Sequence, residues 1–264
     1  SPAVNTNLND LSGSLEKSIH RISMKIGIIS LRVINSIGTL GGGNHFIELD
    51  RSPDNEIWLT IHTGSRNFGL KIAEHHQSIA RKMNLFKNTN QPGLESLETD
   101  SPEGKEYFDD MKTAQAFAEI NRRMIADIII GKYFKMNIDR SENIKSVHNY
   151  ISIKDRIIRK GAISSLKDEK LIIPLNMRDG IIIADGKGNR EWNFSAPHGA
   201  GRLFSRSEAK QKISMDLFTK SMEGIWSSSV SKSTLDESPM AYKPYKEILT
   251  YSSETFACLL YTSR

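Results

Sequence analysis

The chain has 264 residues, of which 38% are hydrophobic and 25% are charged, and its net charge is +5. This is ordinary globular composition, and the length allows a substantial hydrophobic core. No run of about 18 apolar residues occurs, so we expect neither a membrane span nor a membrane partner. The single cysteine, Cys258, excludes an intrachain disulfide and favours a reducing, cytoplasmic location. The 36 basic residues are mixed with 31 acidic ones, which permits a polyanionic partner without requiring one.

The N-terminal half of the sequence alternates between helical and strand-like patterns. Apolar residues at 15, 19, 22, 26, 29 and 33 predict one helix over 14–37. After a glycine-rich turn, alternation over 45–50 and 56–64 predicts two strands. A helix is predicted to begin near Asn67, and the Pro- and Gly-containing stretch 86–106 is predicted to be a polar loop.

The C-terminal half begins with an amphipathic pattern over 109–131, whose apolar side carries Met111, Ala114, Ala118, Ile125 and Ile128. Successive strands are predicted over 146–163, and a hairpin over 170–188 closed by Arg-Asp-Gly. Residues 208–224 are predicted to be helical, whereas the tail 254–264 shows no clear pattern. With no internal repeat and no linker, we expect one α+β domain over 1–264, with mixed or antiparallel sheets flanked by helices.

Of the seven histidines, four lie in unusual settings. His45 follows Gly41–Gly43, and three glycines in a row suit a close approach of backbone to a ligand or positive φ angles. The alternative is a glycine turn with an incidental histidine. His62 ends an alternating strand 17 residues later, and two adjacent antiparallel strands would bring the two imidazoles together. His20, His75 and His76 lie on predicted helices without such a context.

His148 and His198 complete this group. His148 precedes Asn149 in a strand-like segment, which suits a metal ligand with an amide partner or a purely structural residue. His198 lies in Pro-His-Gly-Ala-Gly-Arg, where the glycines would open backbone N–H groups to a phosphate. Arg202 and Arg206 could neutralise oxyanions, and an imidazole there could act as a general acid or as a nucleophile on phosphorus. The alternative is a structural turn.

Five stretches taken together, GTLGGGNHFIEL, IHTGSR, VHNY, IIPLNMRDG and WNFSAPHGAGRLFSRSEA, resemble the RtcB family of GTP-dependent RNA ligases. The resemblance runs from about Gly38 to Tyr242 and includes DESPMAYK near its end. It implies a pair of Mn²⁺ ions, GTP, RNA ends as substrates and a monomeric enzyme. By motif, His45, His62 and His148 match the histidine metal ligands, and His198 matches the histidine that receives GMP.

The resemblance also implies which residues contact the nucleotide. These are Asn44, His45, Phe46, Ile47, Glu48, His148, Asn149, Pro174, Leu175, Asn176, Met177, Ile181, His198, Gly199, Ala200 and Gly201. It implies that the four imidazoles converge on one triphosphate pocket. The implied reaction joins an RNA 3′-phosphate or 2′,3′-cyclic phosphate to a 5′-hydroxyl through GMP carried on His198. Arg66, Arg202 and Arg206 could hold the RNA backbone.

The sequence departs from the family pattern at both ends. The family has an Asp and a metal-bridging Cys upstream of the glycine-rich motif, whereas no cysteine precedes His45. The family also ends in a nucleotide-contacting lysine, whereas this chain ends in Leu-Leu-Tyr-Thr-Ser-Arg. We therefore expect an interior fragment of a ligase. Two other functions stay open: a metal-dependent phosphoesterase that needs no GTP, and an inactive fragment that binds nucleotide or RNA.

Overall fold

The structure is a computed structural model that describes residues 13–85, 95–137 and 143–262. Helices and antiparallel strand pairs are both present, which confirms the predicted α+β class. The described chain divides into two compact units, the first comprising 13–47 with 61–137 and the second 48–60 with 143–262. The expectation of one domain over 1–264 stays a prediction.

The first unit is built from helices α1 (Gly13–Lys25), α2 (Ser30–Ile34), α3 (Arg66–Leu85) and α4 (Pro102–Asp127). Their apolar faces bury one another, and burial of such side chains is the main stabilising contribution to the unit. The rings of Phe68 and Phe117, from α3 and α4, lie 5.6 Å apart between centroids. The buried cluster comprises Leu15, Ile19, Ile22, Val33, Ile34, Ile37, Phe68, Ile72 and Phe117.

The prediction of one helix over 14–37 was wrong at 26–29 and at 35–37, which are not helical. Gly27 adopts a φ of 70°, a left-handed conformation that a helix cannot contain, and α1 ends at Lys25. The chain restarts as the short helix α2, and Ile29, expected on the buried face, is 56% exposed. The helical spacing of apolar residues therefore continues in the sequence although the helix itself is interrupted at Gly27.

The predicted polar loop over 86–106 was wrong for its last five residues, while 86–94 lie outside the described residues. Helix α4 begins at Pro102, and the Ser101 side chain caps it by accepting a hydrogen bond from the Gly104 amide (3.0 Å). Serine at the N-cap and proline at the first helical position are favourable start signals. At its other end α4 gives way to a π-helix, Ile128–Tyr133, so the helical prediction over 109–131 was correct in position but not in type at its end.

Strands β1 (Phe46–Arg51) and β2 (Ile57–His62) form at the predicted positions and pair with each other. The connecting turn is closed by the Ser52 amide, which donates to the Glu56 carbonyl (2.9 Å). The chain passes from the first unit to the second within β1 and returns within β2. Helix α3 starts at Arg66, one residue before the predicted Asn67.

The second unit contains small antiparallel sheets. Strands β3 (Asn149–Ser152) and β4 (Ile157–Lys160) pair, as do β5 (Ala162–Ser164) and β8 (Ser195–Pro197). A three-stranded sheet has the order β6 (Lys170–Asn176), β7 (Gly180–Gly186) and β9 (Phe256–Tyr261). The buried apolar cluster of the second unit comprises Ile163, Leu171, Ile173, Leu175, Ile182, Ala184, Ala196, Ala200, Ile248 and Phe256.

The predicted hairpin over 170–188 is confirmed as β6 and β7. Its turn is held by Asn176, whose Oδ1 accepts from the Asp179 amide (3.0 Å) and whose Nδ2 donates to Asp179 Oδ2 (2.8 Å). Asn and Asp favour turns because their side chains bond to nearby backbone in this way. The tail, for which no pattern was expected, supplies β9 against β7.

The predicted helix over 208–224 is instead two helices, α5 (Arg206–Lys212) and α6 (Met215–Ser221). Ile213 is extended, and the Ser214 side chain caps α6 by accepting from the Leu217 amide (3.2 Å). A capping serine inside an apolar period therefore restarted the helix. A further helix, α7 (Tyr245–Tyr251), precedes β9. Among the described residues, none of the helices combines the length and apolarity needed to cross a membrane.

Candidate active site

Two of the four singled-out histidines meet in the first unit. The ring centroids of His45 and His62 lie 6.1 Å apart, and Phe46 stacks on His62 at 5.2 Å. The pairing of β1 with β2 produces this proximity, which confirms the expectation drawn from the 17-residue spacing. Both rings are half-buried, so they remain partly open to solvent or a ligand.

Arg66 anchors the loop that carries His45. Its Nη1 donates to the Leu40 carbonyl (2.9 Å) and to His45 Nδ1 (3.1 Å). Gly41 has a φ of 89°, and a side-chain carbon there would lie 1.7 Å from Arg66 Nη1. A side chain here would be strained by the positive φ and would displace the guanidinium from its hydrogen bonds. Gly41 thus accommodates the Arg66 side chain, whereas a Cβ on Gly42 or Gly43 would have no neighbouring atom within 4 Å.

Asn121 of α4 forms hydrogen bonds to the same loop. It was not among the site residues predicted from the sequence. This fully buried side chain accepts from the Gly38 amide (2.8 Å) and the Thr39 amide (3.1 Å). Its Nδ2 donates to the carbonyls of Thr39 and Gly64, both at 3.2 Å. One amide therefore ties together the segments that precede His45 and follow His62. The sequence does carry one indication of this role. Asn121 is a polar residue on the apolar face of α4, and a buried polar side chain is expected to form hydrogen bonds.

The protonation of His45 suits a ligand role. Burial, and then the charge of Arg66, lower the pKa of this imidazole below its ordinary value. Metals bind the neutral ring, and imidazole nitrogen suits several divalent ions. His45 and His62 therefore fit as part of a metal-ligand set. Within 13–85, 95–137 and 143–262, no three or more His, Cys, Asp or Glu side chains are grouped to hold a metal ion.

The tip of the hairpin, which belongs to the second unit, buries acids and exposes apolar residues. Glu48 and Asp50 are 8% and 1% exposed, whereas Leu49 between them is 48% exposed. Successive residues of a strand face opposite sides, so the two carboxylates share the buried face. Burial raises the pKa of Asp50 to about 7, against the lowering effect of a hydrogen bond with Thr60. Glu48 is one of the predicted nucleotide contacts.

The other two histidines meet in the second unit. The rings of His148 and His198 lie 4.9 Å apart between centroids and are tilted by 33°. Gly161, at φ 67°, lies beneath His198, since a Cβ there would be 3.4 Å from His198 Cε1. The Gly161 amide donates to the His148 carbonyl (2.8 Å) and to Asn149 Oδ1 (3.2 Å). The Asn149 amide group thus supports Gly161, which itself supports His198.

Two predicted nucleotide-binding stretches, Pro174–Met177 and His198–Gly201, touch each other. The Ala200 amide donates to the Pro174 carbonyl (3.2 Å), and a Cβ on Gly199 would lie 3.1 Å from that oxygen. Gly199 therefore allows backbone to approach backbone. The Ala200 N–H, expected to face a phosphate, is used within the fold.

Several predicted contact residues lie in or beside the core. Leu175, Ile181 and Ala200 are at most 3% exposed, so their side chains pack inward. The Ile181 amide donates to Thr262 Oγ1 (3.0 Å). Met177 packs against a second buried apolar cluster, which consists of Ala209, Ile213, Phe218, Met222 and Ala241. By contrast, the structure leaves Asn44 and Ile47 exposed and Pro174 half-buried.

Arg202, expected to bind phosphate, uses its donors inside the protein. Its Nε donates to the Phe204 carbonyl (3.0 Å), and its Nη1 donates to the Tyr242 hydroxyl (3.2 Å). Its Nη2 donates to the Asp236 carbonyl. Burial, and then Glu237, raise the pKa of Tyr242. Arg202 thus fastens the loop after His198 to the segment 236–242.

Arg206 is more exposed and pairs with the same segment. Its guanidinium lies 3.3 Å from Glu237 and 3.6 Å from Asp236. Partly exposed ion pairs contribute little stability, and salt screens them. Arg206 could therefore exchange these partners for a phosphate at a smaller cost than Arg202.

Comparison with known proteins decides the family. The family model described as tRNA-splicing ligase RtcB matches residues 15–257. The chain belongs to the RtcB family. It is 31% identical over 250 residues to the RNA-splicing ligase RtcB of Escherichia coli K12, covering 86% of this chain and 59% of that protein. It is 30% identical over 262 residues to the tRNA-splicing ligase RtcB of Aeropyrum pernix, covering 80% and 54%.

A second Escherichia coli relative, the RNA-splicing ligase RtcB1 of strain ATCC 25922, is 32% identical over 250 residues. It too is covered over 59% of its length. The chain thus spans less than two thirds of the length of these three RtcB relatives. The RtcB family match extends from α1 to β9, so it includes both histidine pairs.

Proposed function

We propose that this chain carries the guanylylation site of an RNA ligase, with His198 as the nucleophile. The ligase reaction is supported by the RtcB family match and by the printed names of its relatives. The single observation that carries the nucleophile assignment is the packing of His198 beside His148, with the Pro174 carbonyl bonded to the Ala200 amide. Segments at least 24 residues apart in sequence are thereby assembled around one imidazole.

The proposed first step forms a covalent adduct. The unprotonated nitrogen of His198 attacks the α-phosphorus of GTP, a P–N bond forms, and the P–O bond to pyrophosphate breaks. The support of Gly161 beneath the ring limits its movement, and restricted movement of a nucleophile lowers the entropic part of the barrier. His148 packs against the same ring and restricts it further.

The following steps use the adduct to activate RNA. A 3′-phosphate oxygen attacks the phosphorus of GMP on His198, which releases the imidazole and makes a diphosphate-linked RNA end. A 5′-hydroxyl then attacks the RNA phosphate, a 3′–5′ phosphodiester forms, and GMP leaves. A 2′,3′-cyclic phosphate is first opened by hydrolysis. Exposed cationic groups such as Arg206 would bind the RNA backbone.

His45, His62 and His148 are the proposed histidine ligands for Mn²⁺. The donor types and the lowered pKa of His45 support this assignment. Bound Mn²⁺ would supply neutralisation of phosphate charge as the P–N bond forms. GTP, RNA ends, a monomeric state and a cytoplasmic location belong to the same proposal.

A ligation assay tests the proposal against a phosphoesterase. RNA carrying a 2′,3′-cyclic phosphate and RNA carrying a 5′-hydroxyl are incubated with Mn²⁺, with and without GTP. We expect joined RNA only with GTP, no product from His198→Ala, and normal product from His20→Ala, which removes an exposed imidazole of α1. Opening of the cyclic phosphate with no joining in the presence of GTP would support the phosphoesterase instead.

The inert-fragment alternative is separated by metal content. Inductively coupled plasma mass spectrometry of the protein after Mn²⁺ loading and desalting gives the number of ions per chain. We expect at least one. A value well below one, together with no joined RNA, would favour a fragment that binds without turnover.

A further inference from the structure

Among the described residues, Arg159 of β4 has the largest side chain that is fully buried, with 2% of its surface exposed. Its Nε donates to Ser195 Oγ (3.0 Å), its Nη1 to the Tyr150 hydroxyl (3.1 Å) and its Nη2 to the Phe194 carbonyl (3.1 Å). Its described partners are neutral oxygens. A buried guanidinium is costly unless hydrogen bonds satisfy it, so this one is committed to holding its surroundings in place.

The segment that Arg159 holds has an unusual backbone. Asn193 has φ 49° and Phe194 has φ 50°, two consecutive left-handed residues, neither of which is glycine. This conformation brings a Cβ close to the following carbonyl and persists only where the surroundings enforce it. Arg159 Nη2 binds the Phe194 carbonyl, and Ser195 Oγ, which accepts from Arg159 Nε, donates to the Asn193 carbonyl (2.8 Å). The guanidinium thus stabilises both left-handed residues.

The same residue is connected to His198 by two routes. The left-handed turn leads directly into β8 (Ser195–Pro197), and His198 is the next residue. Along the chain, Arg159 is two residues before Gly161, which follows the end of β4 and lies beneath the His198 ring. Strand β8 also pairs with β5, which begins one residue after Gly161. Arg159 therefore joins the two backbone segments that determine where the imidazole lies.

We propose that Arg159 is a positioning residue for His198: by holding the left-handed turn at Asn193 and Phe194, it orients the imidazole that attacks phosphorus. The proposal rests on the proposed role of His198 as nucleophile. The hydrogen bonds of Arg159 go to Tyr150, Ser195 and the Phe194 carbonyl, and 2% of the residue is exposed, so it acts through the backbone and not on the nucleotide. Its removal should therefore lower the rate of adduct formation and leave the KM for GTP unchanged.

The first variants are Arg159→Met, which keeps the aliphatic length, and Arg159→Lys, which keeps the charge. Arg190→Met, an exposed arginine just before the turn, is the matched control. At saturating GTP with Mn²⁺, we expect Arg159→Met to slow the formation of the His198–GMP adduct by about tenfold to a hundredfold. The KM for GTP should change by less than about twofold, and Arg159→Lys should be intermediate.

A second-site rescue distinguishes positioning from simple loss of stability. Glycine adopts left-handed angles freely, so Asn193→Gly with Phe194→Gly should reduce the need for Arg159. We expect this pair of changes to restore most of the adduct rate when combined with Arg159→Met. An Arg159→Met variant with the wild-type adduct rate would overturn the proposal, and so would a loss that the glycines leave unrestored.

An activity-independent measurement separates this proposal from the proposed function. Diethyl pyrocarbonate acylates imidazole, and peptide mass spectrometry gives the rate at His198 with no GTP present. We expect Arg159→Met to change that rate at His198 more than at His20, and the glycine pair to reverse the change. An unchanged rate would contradict the positioning role. Absence of a GMP adduct in the wild-type protein, with the acylation result as expected, would instead contradict the ligase chemistry alone.

Discussion

Arg66 and His45 share a hydrogen bond of 3.1 Å between Nη1 and Nδ1. A guanidinium only donates, so His45 Nδ1 is the acceptor and Nε2 carries the proton of the neutral ring. A metal ion at Nδ1 would take the place of Arg66. A metal ion at Nε2 would move the proton to Nδ1, which could then no longer accept. In both cases the Arg66–His45 bond would have to break if His45 is the Mn²⁺ ligand proposed above.

We therefore predict that Arg66→Met strengthens Mn²⁺ binding. Arg66→Met removes one competing hydrogen bond from a charged donor, which corresponds to about a tenfold to hundredfold gain in Mn²⁺ affinity. Electron paramagnetic resonance titration of free Mn²⁺ measures it, and Arg81→Met, an arginine exposed on the same helix, is the control. Equal affinities for Arg66→Met and the wild-type protein would show that this bond does not compete with the metal.

Asp50 predicts that stability falls as pH rises from about 4 to about 7. Its pKa is raised by burial to about 7, so the folded state binds a proton more tightly than the unfolded state. For an acid with a raised pKa, the associated stability is fully present below about pH 4 and is lost as pH rises through about 7. Asp50→Asn removes this loss. We expect the variant to gain a few kcal/mol over wild type between pH 5 and pH 8.

Urea unfolding at both pH values measures that gain, and Asp54→Asn in the exposed turn between β1 and β2 is the matched control. The Thr60 hydrogen bond survives, because an amide oxygen also accepts. A difference between Asp50→Asn and wild type that stays constant from pH 5 to pH 8 would rule out proton binding at this site.

Asp110 predicts the opposite pH dependence of stability, with stability lost in acid. This fully buried carboxylate accepts from His76 Nε2 (2.8 Å) and Arg21 (3.1 Å), and Lys25 also binds it. Burial raises its pKa, but the hydrogen bonds from His76 and Lys25 outweigh burial, and the pKa is lowered. The stability it contributes is therefore present above the ordinary pKa of an aspartate and is lost as pH falls through the lowered value.

We expect Asp110→Asn to destabilise the protein by about 3 kcal/mol at pH 7, because three donors lose a buried charge. Asp109→Asn, whose side chain is 69% exposed on the same helix, should cost less than about 0.5 kcal/mol. Chemical denaturation at pH 7 measures both. The difference in free energy of unfolding between the two variants should become smaller in acid. A difference that grows in acid would contradict a lowered pKa of Asp110.

Local pattern was sufficient where neighbours in sequence are neighbours in space. The β6–β7 hairpin follows from two apolar runs around Arg178 and Asp179, and the His45–His62 contact follows from two strands joined by a short turn. The start of α4 also has a local signal, since Ser101 and Pro102 favour a helix start, although the polar, Pro- and Gly-containing residues around them are typical of a loop.

The rest depended on distant partners. Strand β9 exists because β7 offers an edge some 70 residues earlier, and its own residues do not alternate in burial. Arg159 belongs to a strand-like Ile-Ile-Arg-Lys run that gives no sign of burial, since its partners at 194 and 195 lie 35 and 36 residues away. Asn121 is buried for the same reason. Periodicity reports which face is apolar, and it does not report which polar group the fold will satisfy internally.

The central claim is that His198 receives GMP, and mapping the adduct tests it most directly. The protein is incubated with Mn²⁺ and GTP labelled at the α-phosphate, and the labelled peptide is identified by mass spectrometry. We predict one label, on His198, that is labile in acid and stable in alkali, and that is absent from His198→Ala. A label on any other residue, or an undiminished label in His198→Ala, would contradict the account.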